Sequence, residues 1–75
     1  MEIKVLGSGC ANCVKLYDHV KKSLEESGKE ADVVKVTEMS QIMSYGVMRT
    51  PALVIDGKVV SSGRIPAVDE IKGWI

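Results

Sequence analysis

The sequence predicts a small α/β domain of order βαβαββα, a four-stranded mixed sheet with helices on both faces. Three observations carry that expectation: polar-apolar alternation in the opening residues, a helical repeat of apolar positions from Ala11 to Ser27, and a hairpin pattern around Asp56-Gly57. A strand, a helix crossing to a parallel strand, a second helix and then a hairpin bring all the strands into one sheet.

The first strand is Glu2-Ile3-Lys4-Val5-Leu6, where β-branched residues alternate with polar ones until Gly7-Ser8-Gly9 breaks the pattern. Along the following stretch Cys13, Leu16 or Tyr17, Val20 and Leu24 recur every three or four residues, with lysines and glutamates between them. That spacing predicts an amphipathic helix that Gly28 can stop in the left-handed conformation. Ala31 to Val36 is rich in valine on both sides, as a strand buried on both faces would be. Thr37 can cap a short helix with Met39, Ile42 and Met43 on its core side, ended by Gly46.

Pro51 forces Thr50 towards extended geometry, and Leu53-Val54-Ile55, the turn Asp56-Gly57 and Lys58-Val59-Val60 then spell a hairpin. Pro66 fits the first turn of a closing helix in which Val68, Ile71 and Trp74 or Ile75 share a face, with Trp74 as its anchor.

Length and charge bound the function. The chain has 75 residues, about half the roughly 150 of a typical domain, so one domain over residues 1–75 is expected. Ten basic residues balance ten acidic ones, which leaves no net positive field to neutralise a phosphate backbone; nucleic acid is not an expected partner. No apolar run approaches the roughly 20 residues of a membrane span, and Met1-Glu2-Ile3-Lys4 lacks the plan of a signal peptide. A cytoplasmic location is expected, with no membrane partner.

The two cysteines, Cys10 and Cys13, are the informative feature. Cys10-Ala11-Asn12-Cys13 falls where a strand ends and a helix begins. Unpaired N–H groups at a helix start favour negative charge by roughly 0.3 to 1 kcal/mol, up to about 2, and so favour the Cys10 thiolate. Cys13 falls on the apolar side of the first turn, where desolvation disfavours charge. The two sulfurs are therefore unequal: Cys10 attacks and Cys13 resolves.

Residues three apart on a helix lie roughly 5 to 6 Å apart, within the span of about 4.4 to 6.8 Å that a disulfide allows. So short a loop would gain only about 2 kcal/mol from a bridge, which makes a purely structural staple poorly sited. The competing use of this pair is as a soft-metal carrier for copper or zinc, although a closed zinc site needs four ligands and the other candidate, His19, falls on a different side of the helix. His19 is expected at the surface. Gly7-Ser8-Gly9-Cys10-Ala11-Asn12 begins like a dinucleotide fingerprint but lacks its third glycine. Met39 and Met43 have core spacing, and Met48 falls near the proline loop.

Cys10-x-x-Cys13 on a strand-to-helix turn, then Thr50-Pro51, the Asp56-Gly57 hairpin and Gly63, in that order, resemble the thioredoxin and glutaredoxin superfamily. The chain is most similar to its short redox-active disulfide proteins, which have Gly-x-Gly-Cys-x-x-Cys near the start. The resemblance implies a thioredoxin-like fold, Cys10 as exposed nucleophile, Cys13 as resolving thiol, and Pro51 as a cis proline beside them. Thr50 would then offer backbone hydrogen bonds to a substrate strand.

The implied activity is thiol-disulfide exchange without a bound cofactor or metal. Its partners would be protein disulfide substrates and an external reductase or thiol donor, and the chain would act as a monomer. The chain departs from thioredoxin in three respects: Gly9 replaces its tryptophan, Ala11-Asn12 its Gly-Pro, and Lys4 its buried aspartate. Lys4 is expected to be a solvated strand residue. Heavy-metal-associated domains also carry CxxC after a first strand, but they end in a strand where this chain ends in a helical pattern.

Overall fold

The computed structural model describes residues 1–7 and 11–75. Its elements are β1 (Glu2–Leu6), α1 (Ala11–Ser27), β2 (Asp32–Val36), α2 (Met39–Ser44), β3 (Ala52–Ile55), β4 (Lys58–Ser62) and α3 (Val68–Trp74), the expected order. The strands form one mixed sheet in the order β2-β1-β3-β4. β1 runs parallel to β2 and antiparallel to β3, and β3 and β4 form the hairpin. Its two-residue turn places Asp56 at φ 50° and Gly57 at φ 81°, the mirror-image geometry that fits the twist of paired strands.

Alternation along the strands sorts side chains onto two faces. On one, Ile3, Val5, Leu53 and Ile55 pack with Leu16, Val20 and Leu24 of α1 and Ile71 of α3. On the other, Leu6, Ala52 and Val54 meet Val36, Val47 and Ile42 of α2. The helices of the first face are also tied to each other. Buried Ser23 shares its one hydroxyl proton between the carbonyls of His19, at 2.6 Å, and Val68, at 3.2 Å, and Trp74 packs against the same core as expected.

Several local expectations are corrected. β2 is an edge strand, not one buried on both sides: Val36 is buried but Val34 is 44% exposed. The N-cap of α2 is Glu38, at extended φ −78° and ψ 123°, one residue after Thr37. Met39 and Met43 are exposed, because a helix of six residues turns one narrow stripe inward and Ile42 fills it. Pro66 precedes the Ala67 N-cap of α3 instead of entering its first turn. His19 is half-buried: its Nδ1 donates to the Pro66 carbonyl at 2.9 Å and fastens α1 to the start of α3. Among the described residues no helix is long and apolar enough to cross a membrane.

Candidate functional site

Of the two cysteines, Cys10 lies outside the described residues and Cys13 sits in the first turn of α1, only 6% exposed. Its depth follows from the helical repeat: Cys13, Leu16, Val20 and Leu24 form the stripe that α1 buries. Beneath it the chain leaves β1 at Gly7. A β-carbon built on Gly7 would collide with the Cys13 sulfur, and would lie 3.2 Å from Cys13 Cβ and 3.9 Å from Thr50 Cβ. The glycine therefore lets three segments meet: the end of β1, the first turn of α1 and the loop before β3.

That loop reaches the site through sheet register. Leu6 pairs with Ala52 in the antiparallel β1-β3 ladder, so the residues just beyond, Gly7 on one strand and Pro51 on the other, come to the same edge. The Thr50-Pro51 peptide bond is cis, as the resemblance implied; Thr50 is exposed and Pro51 buried. The Pro51 carbonyl accepts from the Gly63 N–H at 3.0 Å, which ties the proline to the end of the hairpin. Gly63, at φ +73°, also leaves space for the Arg49 side chain, since a β-carbon there would stand 3.1 Å from Arg49 Cβ.

A narrow cleft of about 20 Å³ opens beside the buried thiol, lined by Val5, Gly7, Cys13, Val14, Lys35 and Thr37. That volume holds about one solvent molecule. Lys35 reaches α1 by laying its ammonium 4.4 Å from the Tyr17 ring centroid. Sequence reasoning did not connect Gly7, Lys35 or Arg49 to the site. The glycine pattern before Cys10 was a visible signal, but the packing partners of Lys35 and Arg49 come from distant segments.

Lys4 lies apart from this cleft, on the α2 side. It is half-buried instead of fully solvated, donating to Tyr45 Oη at 2.7 Å with Glu2 Oε1 at 3.3 Å. The Tyr45 hydrogen bond, followed by that of Glu2, raises the Lys4 pKa above its ordinary value and keeps the ammonium charged. Among the described residues no three His, Cys, Asp or Glu side chains converge as a metal cluster.

The family model described as thioredoxin domain matches residues 1–75. A thioredoxin of Methanocaldococcus jannaschii is 43% identical over 70 residues, covering 93% of this chain and 80% of that protein. A thioredoxin of Methanothermobacter thermautotrophicus is 38% identical over 72 residues, covering 96% of this chain and 94% of that one. With its mixed sheet and flanking helices, the chain belongs to the thioredoxin domain family.

Proposed function

We infer that this thioredoxin-like redox protein is a thiol-disulfide oxidoreductase that cycles Cys10 and Cys13. The Cys10 thiolate attacks a partner disulfide, forming a mixed disulfide and releasing one partner thiolate. Cys13 then gives up its proton and attacks the Cys10 sulfur; the mixed disulfide breaks, the second partner thiolate leaves, and the Cys10-Cys13 bond holds the oxidised state. Two electrons pass to the partner, and an external reductase or dithiol returns them. The reverse sequence oxidises a partner dithiol through the same intermediate.

The observation that carries this reading is the burial of Cys13 in the first turn of α1, with Gly7 between it and the Thr50 side of the proline loop. A sheltered second thiol is what a resolving cysteine requires: it reacts inside the mixed disulfide and not with bulk solvent. Lys35 lines the same narrow cleft as Cys13, and in this reading the Cys13 proton leaves through that cleft. Thr50 is exposed, which leaves room for the backbone pairing with an extended substrate that this reading assigns to it.

Cysteine variants test the roles. Cys13→Ser should accumulate a mixed disulfide through Cys10 when mixed with an accessible disulfide substrate, and Cys10→Ser should abolish exchange. Equal alkylation rates for the two thiols in the reduced protein would contradict the assignment. A pair that never oxidises across the glutathione range, yet takes up Cu(I) or Zn(II) through both cysteines, would make the protein a metal carrier instead.

A further inference from the structure

We propose that the exposed side of α2 binds a soft monovalent cation, copper(I), between the thioether sulfurs of Met39 and Met43. Both methionines lie on the six-residue helix, 56% and 66% exposed, while Ile42 alone from that helix is buried. Each side chain leaves more than half of its surface in water, so core packing does not account for either residue. The two are four residues apart, on one side of the helix, with β-carbons roughly 5 to 6 Å apart. An unbranched side chain with three rotatable bonds lets both sulfurs close on one ion.

Charge and ligand chemistry agree with this occupant. From Val36 to Met48 the sequence has no lysine, arginine or histidine, and Glu38 stands immediately before Met39. No side chain on this segment carries a positive charge, and Glu38, the one charged residue present, attracts a cation. Thioethers are soft, neutral ligands that select Cu(I) and offer little to Zn(II), Mg(II) or Ca(II). Met48 is 97% exposed but lies beyond Gly46, off the helix, and forms no part of the pair.

The test uses silver(I), an air-stable soft monovalent ion, titrated into the Cys10→Ser/Cys13→Ala protein, its fold checked by circular dichroism. One ion per chain is expected. Met39→Leu and Met43→Leu should each weaken binding by roughly tenfold or more, equivalent to about 1.4 kcal/mol, while Met48→Leu changes it little. Equal weakening by Met48→Leu, or competition by Zn(II), overturns the site. Should the cysteine-free protein fail to fold, methionine methyl resonances of the unmodified chain give the same reading. After silver saturates the thiols, Met39 and Met43 should shift together while Met1 and Met48 stay; movement of all four, or of neither helix residue, is against the proposal. Because the first protein has no cysteine, its result leaves the thiol-exchange reading untouched.

Discussion

At Gly7 the backbone passes so close to α1 that the Cys13 sulfur occupies the space a β-carbon would need, with Cys13 Cβ 3.2 Å from that point. Overpacking a filled site costs about 1 to 3 kcal/mol, because the neighbour must leave its rotamer or the backbone must shift. Gly7→Ala is therefore expected to lower the melting temperature by roughly 4 to 8 °C for each kcal/mol lost. Most of that loss should disappear in a Cys13→Ala background, where the colliding sulfur is gone; thermal denaturation of the four proteins in the cycle measures the coupling. An identical penalty in both backgrounds would place the strain elsewhere. The depth of Cys13 was legible in the sequence because the repeat through Leu16, Val20 and Leu24 shows which side of α1 faces inward. The contact at Gly7 was not, since it depends on the distance between segments that only the fold brings together.

Among the elements, α3 shows how a short helix is held by side chains at its start. Ala67, its N-cap, has extended φ −70° and ψ 158° and accepts from the Ile71 N–H through its carbonyl at 3.1 Å, but it has no side-chain oxygen to cap the other first-turn N–H groups. The Glu70 carboxylate supplies the other half of a cap by accepting from the Ala67 N–H at 3.2 Å, and it also takes two hydrogen bonds from Arg64 at 3.1 and 2.8 Å. Arg64 first, then the Ala67 N–H, holds the Glu70 carboxyl below its ordinary value of 4.5. A folded value below the unfolded one means the tether acts in full above about pH 4.5 and fades as pH falls through the folded value. Glu70→Gln should lower the urea midpoint modestly at pH 7, since the pair is exposed, and match the parent protein in acid. A gap that stays constant from neutral to strongly acid pH would show that the carboxylate charge is irrelevant. The hairpin and α1 were legible because turn residues and a long helical period are local signals. The ends of α2 and α3, and the outward methionines, were not; a short helix has too few residues for its period to say which apolar ones face the sheet.

Across the whole molecule the sheet is covered unequally, and that asymmetry sets where it opens. One face carries the long α1 together with α3, joined through Ser23, His19 and Pro66; the other carries α2 with a single fully buried side chain, Ile42. Truncating a core leucine or isoleucine costs about 2 to 5 kcal/mol, against a total stability for small domains of about 5 to 15. Leu16 lies in the larger core, between α1 and the sheet centre, so Leu16→Ala withdraws that energy from the global fold. Ile42→Ala instead detaches an element whose few hydrogen bonds, such as Ile42 N–H to Glu38 carbonyl and Gly46 N–H to Met43 carbonyl, can break while the rest stays folded. Native-state hydrogen exchange should therefore speed up by roughly 30-fold or more at amides of residues 41–46 in Ile42→Ala, with those of α1 and β1 close to the parent rates. In Leu16→Ala the most protected amides of β1, β3 and α1 should accelerate together. A uniform acceleration from Ile42→Ala would mean that α2 opens only with the whole molecule. In that event the side of the sheet carrying the exposed methionines would be as firmly bound into the fold as the side carrying Cys13.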